Sequence, residues 1–172
     1  MCSLHTGVRF GLENHPERTP SEVLEAIGDA EAIGAAVDTG WWATQGYDPV
    51  AAIHELSARL FHVHLKDVEE PGTHVTCMHG EGCARIFDCV EALLDIGYAG
   101  PVSIEHHSFD RDPTPECARA LTVIREQLAI HVSSVRFALP SSGAGTSRAR
   151  TARRWAPIRR CGSPAPLTST PR

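Results

Sequence analysis

The chain has 172 residues, 42% of them apolar, which is enough for one domain with a sizeable core and short for two. No stretch approaches the roughly 18 to 20 apolar residues of a membrane span, and the start, MCSLHTGVRF, lacks the charged opening and apolar block of a secretory signal, so a soluble, cytoplasmic protein is expected. The net charge of −5 is divided unevenly: residues 1–130 hold all 21 acids against eight basic residues, net −13, whereas residues 131–172 hold eight Arg and no acid, net +8.

In chain order, the first apolar run is VRFGLE (8–13), a predicted strand that ends at Glu13. TPSE (19–22) then offers Thr19 as N-cap, Pro20 at the first helical position and Glu22 three residues after the cap, predicting a helix through VLEAIGDA. GAAVD (34–38) is the second strand and ends at Asp38, and DPVAAIHELSA (48–58) opens the next helix with Asp48 and Pro49. The third strand, LFHVH (60–64), ends at His64. Within FHVHLKD (61–67) a two-residue period puts Phe61, Val63 and Leu65 on one face. His62, His64 and Lys66 share the other, where burial without partners would be costly.

IFDCVEALLDIGYAG (86–100) predicts a helix with Phe87, Val90, Leu93 and Leu94 on one stripe and Gly97 as its stop. PVSIE (101–105) is the fourth strand, ending at Glu105, and TPECARALTVIREQL (114–128) is a helix with Leu121, Ile124 and Leu128 in register. Beyond Leu128 the periodicity stops. Residues 1–130 are therefore read as the folded domain and the Arg-, Ser- and Pro-rich residues 131–172 as a disordered tail. The tail's arginines could serve an anionic partner, or it is a solvated extension without function.

Strand and helix alternate four times, which argues for an α/β fold with a parallel sheet covered by helices. In such folds function gathers at the C-terminal ends of the strands, where Glu13, Asp38, His64 and Glu105 all fall. Three carboxylates and one imidazole make an oxygen-rich site suited to Mn²⁺, Mg²⁺ or Co²⁺ rather than a sulfur-rich structural zinc site. The six cysteines show no CxxC and no framework spacing, so reduced thiols are expected.

GLENHPE, DTGWW, HVHLKD, HGEG and GYAGPVSIEHH, in this order, resemble the sugar phosphate isomerase/epimerase family, whose members have a xylose isomerase-like TIM barrel. The resemblance runs from about Val8 to Leu128. It implies a parallel (β/α)4 half of a TIM barrel, the last four βα units, followed by the tail. Glu13, Asp38, His64 and Glu105 would hold one divalent metal, Mn²⁺ first, with Mg²⁺, Co²⁺ or Zn²⁺ as alternatives. Glu13 and Glu105 would also act as acid and base on a sugar or sugar phosphate, through the enediolate left when the carbon beside a carbonyl loses a proton. The same chemistry would serve dehydration of an inosose-like substrate. His15 could reach the same mouth, Trp41 and Trp42 could wall a sugar ring or pack in the core, and HGEG (79–82) would be a substrate-facing loop or a solvent-exposed one. Lys66 either meets a substrate oxygen or pairs with Asp67 or a barrel glutamate; His62 would orient a ligand, and His106 and His107 would flank the site.

Half of a barrel leaves two sheet edges and apolar surface unpaired. Three explanations follow: an N-terminally truncated fragment, which is the first expectation and makes activity less secure than ancestry, a half-barrel completed by a second copy of itself, or an open sheet that is stable alone. Two rivals differ in class. An apurinic endonuclease of the same superfamily would carry a His where this chain has Trp41 and a DxH pair before the glycine loop, where THVTCMHGEG has none, and a net −13 repels a DNA backbone. A non-catalytic binding module would keep the half-barrel and perform no turnover.

Overall fold

Four strands pair in parallel and in chain order: β1 (Phe10–Glu13), β2 (Ile33–Asp38), β3 (Leu60–Leu65) and β4 (Val102–Ile104). The structure is a computed structural model and describes residues 7–138. The Arg-rich remainder, and with it the idea of an anionic partner for the tail, lies outside the described residues. Helices fill the crossovers: α1 (Pro20–Ile27), α2 (Thr39–Gln45), α3 (Pro49–Glu55), α4 (Ile86–Asp95) and, after β4, α5 (Thr114–Ala138).

The start signals act as the sequence implies. Thr19 Oγ1 accepts from the Glu22 N–H at 3.3 Å and Asp48 Oδ1 from the Val50 N–H at 3.0 Å, each satisfying an otherwise orphaned donor of the first helical turn. Gly97, at φ +69°, closes α4 by donating to the Leu94 carbonyl at 3.0 Å.

One face of the sheet packs against the helices. Val37, Val63 and Leu65 meet Val23, Trp42, Ile53, Leu56, Ile86 and Val90 in a single buried cluster. Each such aliphatic side chain contributes about 1.5–3 kcal/mol by leaving water, and this layer fixes where the strand ends point. The other face is an open groove of about 420 Å³ lined by Arg9, Gly11, Ala36, Phe61, His62, His64 and Pro101.

Phe61 corrects the simple alternation expected for β3. Leu60 pairs with Ala35 and His62 with the next residue, Ala36, so Phe61 is an extra residue at an irregularity in the ladder. Its ring lies over Gly34, where any Cβ would collide with it, and under the Arg9 guanidinium at 4.2 Å, on the groove side.

Three other expectations change. The buried stripe of α4 is Ile86, Cys89, Val90 and Leu93, leaving Leu94 37% exposed, because the helix starts at Ile86 and that side chain takes the inward position. Helix α2 was not foreseen; seven residues are too few to show a period, and its start signal is Asp38 itself, whose Oδ1 accepts from the Trp41 N–H at 3.0 Å. Residues 131–138, expected to be disordered, are the end of α5. An established helix extends by one hydrogen bond per residue, and no Gly or Pro interrupts the chain before Pro140. Among the described residues no helix is long and apolar enough to cross a membrane.

Candidate metal centre

The C-terminal ends of the strands converge because short polar side chains tie neighbouring ends together. Asn14, 1% exposed, clamps the Asp38 peptide from both sides: its Oδ1 accepts from the Asp38 N–H at 2.7 Å and its Nδ2 donates to the Asp38 carbonyl at 3.1 Å. This fixes the end of β1, and hence Glu13, against β2. Thr39 does the same between β2 and β3, its Oγ1 donating to the Lys66 carbonyl at 2.8 Å and accepting from the Lys66 N–H at 3.0 Å. Gly40 leaves room for the Lys66 side chain, since a Cβ there would lie 2.7 Å from Lys66 Cγ. Sequence reasoning passed over Asn14 and Thr39; their signal was a short polar residue directly after a strand-end carboxylate, in ENH and DTG.

Glu13, His64 and Glu105 each offer a ligand atom within 4.8 Å of the others. These are hard oxygens and one imidazole nitrogen, partly buried on three strand ends, and the donor set fits a divalent metal. His64 Nδ1 lies 2.8 Å from Glu105 Oε2, while Lys66 Nζ at 3.0 Å and His107 Nε2 at 2.9 Å both reach Glu105 Oε1. The His64 hydrogen bond, with help from Lys66 and against the cost of burial, holds the Glu105 carboxyl at about 2. The same bond raises His64 above the ordinary histidine value, again against burial.

Asp38 stands slightly apart from this trio. It is fully buried, its Oδ1 caps α2, and its Oδ2 lies 3.4 Å from Lys66 Nζ. Burial pushes its pKa up, with Lys66 pulling the other way. Lys66, only 4% exposed, therefore bridges Asp38 and Glu105; of the partners considered for it, the barrel carboxylates are the ones it meets.

Asp67 has a different task. Its Oδ2 accepts from the Gly80 and Gly82 N–H groups at 2.8 and 3.0 Å, and its Oδ1 from those of Ala84 and Val68 at 3.0 and 3.1 Å. The HGEG loop is thus folded onto a buried carboxylate. Gly80 sits at φ +93° against the Phe87 ring, which leaves no room for a side chain. His79 turns inward, 3% exposed, rather than toward solvent.

Around the mouth, Trp41 lies between His15 and His74, with ring centroids 4.3 and 4.6 Å away, and Lys66 Nζ is 5.4 Å from the Trp41 ring. Trp42, by contrast, is fully buried in the core. His15 Nδ1 lies 3.9 Å from Glu13 Oε1. His62 packs edge-on against His64 at 4.6 Å and reaches Ser103 Oγ at 2.9 Å. Burial, and then repulsion from His64, push its pKa down. His106 is buried, its ring 6.5 Å from that of His79, whereas His107, expected only to flank the centre, touches Glu105 directly.

A parallel β/α sheet with a carboxylate and imidazole cluster at the C-terminal ends of its strands is the arrangement of the β/α barrel class. The chain belongs to the xylose isomerase-like TIM barrel family, whose model matches residues 5–127. It is similar in structure to a D-tagatose 3-epimerase-like protein, with a TM-score of 0.64 and 26% identity, over 75% of this chain and 50% of that one. An L-ribulose 3-epimerase aligns with a TM-score of 0.64 and 19% identity, over 80% of this chain and 53% of that one, a likeness of fold. In sequence, an uncharacterized protein of Methanocaldococcus jannaschii is 29% identical over 135 residues, 72% of this chain and 44% of that protein. The chain spans about half the length of these relatives.

Proposed function

We infer that the chain is the metal-binding part of an isomerase or epimerase acting on a sugar or sugar phosphate. The observation that carries this reading is the convergence of Glu13, His64 and Glu105 within 4.8 Å at three strand ends. Asp38 is the fourth proposed ligand; its Oδ2 is the atom held by Lys66 Nζ, so Lys66 must release it. A bound divalent ion, Mn²⁺ first and Mg²⁺, Co²⁺ or Zn²⁺ as alternatives, would supply polarisation of a carbonyl and its neighbouring hydroxyl.

The chain's own residues would do the rest. Glu13 and Glu105 remove and return the proton on the carbon beside the carbonyl. Lys66, once turned from Asp38, holds a substrate oxygen, and Trp41 with His15 walls the apolar side of the ring. His62 holds the His64 ring in place by the edge contact. The likeness to a D-tagatose 3-epimerase-like protein supports a carbohydrate substrate. The cytoplasm is the proposed compartment, in keeping with the free thiols of Cys77, Cys83, Cys89 and Cys117.

A second copy of the chain is the proposed partner. Within the described sheet β1 pairs only with β2 and β4 only with β3, so two edges stand open. Two copies placed β4 to β1 would supply eight parallel strands.

The test is proton exchange. With Mn²⁺ in D₂O, a panel of ketoses and their phosphates, D-tagatose and L-ribulose included, is expected to gain deuterium beside the carbonyl, and Glu105→Gln to abolish the gain. A folded, Mn²⁺-binding protein that exchanges none of them would overturn the reading of this chain as an active isomerase or epimerase.

A further inference from the structure

The HGEG loop reaches the centre through one carbonyl oxygen. Leu65 ends β3 between His64 and Lys66, and its carbonyl accepts two hydrogen bonds, from the Glu105 N–H at 2.9 Å and from His79 Nε2–H at 2.6 Å. Both neighbours of Leu65 send side chains to Glu105: His64 Nδ1 to Oε2 at 2.8 Å and Lys66 Nζ to Oε1 at 3.0 Å. The Leu65–Lys66 peptide plane therefore governs the direction of two side chains and the backbone position of a third. His79 is the only side chain described on that oxygen.

His79 is in turn enclosed by the fold. It is 3% exposed, and the residue after it, Gly80, is anchored by Asp67, whose carboxylate accepts from four N–H groups. Because Nε2 donates to a carbonyl, the ring must carry its proton there. Burial favours that neutral form by lowering the pKa. The arrangement runs from Asp67 through the loop and His79 to Leu65, and from there to His64, Lys66 and Glu105.

We propose that His79 is a positioning residue of the centre, acting through the Leu65 carbonyl to set Glu105, His64 and Lys66 in register. The proposal rests on the reading of that cluster as a metal centre, but its geometry exists without the metal. Partners of this outer kind typically change metal affinity by about 10- to 100-fold when removed.

Two variants of the full chain separate positioning from simple support of the fold. His79→Leu removes the donor, whereas His79→Gln keeps an N–H at nearly the same reach. Mn²⁺ titration is expected to show affinity about tenfold weaker in His79→Leu and within about threefold of the parent in His79→Gln. In EDTA, ¹⁵N-histidine spectra at fixed pH report the His64–Glu105 hydrogen bond directly. The His64 signals are expected to move in His79→Leu and to return in His79→Gln. Folded His79→Leu with parental His64 signals and parental Mn²⁺ affinity would overturn the proposal, as would failure of His79→Gln to restore either. Should the parent chain bind no Mn²⁺, the metal reading fails while the His64 signals still decide the positioning role. Should His79→Leu not fold, unmoved His64 signals in Asp67→Asn, which loosens the loop from the other end, overturn it instead.

Discussion

His64 Nδ1 lies 2.8 Å from Glu105 Oε2, a charge-assisted hydrogen bond between two partly buried groups from adjacent strands. Glu105 is held at about 2 against an ordinary 4.5, so its contribution to stability is complete above pH 4.5 and is lost as pH falls toward 2. His64 is raised above 6.5, so its contribution is complete below pH 6.5 and is lost as pH rises through the raised value. Without metal, the pair therefore supports the fold most between pH 4.5 and 6.5. Thermal midpoints in EDTA across this range are expected to show a maximum there, and Glu105→Gln to flatten it while costing about 2 kcal/mol.

Metal binding should invert the upper limb of that profile. A proton on His64 competes with a metal for the imidazole, and the bond to Glu105 favours that proton, so binding releases it. Mn²⁺ affinity is expected to strengthen from about pH 6 to about pH 8, with proton release visible as a buffer-dependent heat in calorimetry. Mn²⁺ at 100 times its dissociation constant should add about 2.7 kcal/mol to unfolding. Glu13→Gln and His64→Ala should each remove most of that gain; a midpoint that rises equally in both variants would place the ion elsewhere.

Lys66 puts its ammonium between two of the proposed ligands. Its Nζ lies 3.4 Å from Asp38 Oδ2 and 3.0 Å from Glu105 Oε1, with the lysine side chain 5% and that of Asp38 0% exposed. Replacing it by Met leaves a buried carboxylate without its partner, a change that typically costs about 3–5 kcal/mol. The same change removes a competitor from two proposed ligands. Lys66→Met is expected to be strongly destabilised in EDTA by urea unfolding, yet to bind Mn²⁺ more tightly than the parent and to regain much of its stability when Mn²⁺ is added. Equal destabilisation with and without Mn²⁺ would mean that lysine and metal do not share this space.

The strand ends were legible because each apolar run stops at a charged or imidazole residue, and the parallel order follows from the alternation of runs with capped helices. What the sequence hid depends on neighbours. Phe61 reads as a core residue until β3 is paired with β2, when the extra residue opposite Ala35 and Ala36 turns it to the groove over Gly34. Asp38 reads as a ligand, but a carboxylate before TGW is also a helix cap, and only the position of Lys66 shows how both oxygens are used. His79 reads as a loop residue because the carboxylate that folds its loop, Asp67, precedes it by 12 positions with no local pattern between them.

The open edges give the last test. Phe10 on β1 is 49% exposed and Val102 on β4 is 45% exposed, so among the described residues both edges present apolar side chains beside ladders without a further strand. In a symmetric pair, β4 of one copy meets β1 of the other twice, which closes the sheet without leaving an edge. Sedimentation of the full chain is expected to show a dimer at micromolar concentration, and Phe10→Lys combined with Val102→Lys to shift it to monomer. The groove lined by Arg9, Phe61 and His62 would then become more accessible, measurable as faster labelling of these side chains. A folded chain that sediments as a monomer at every concentration would overturn the proposed pairing of two copies.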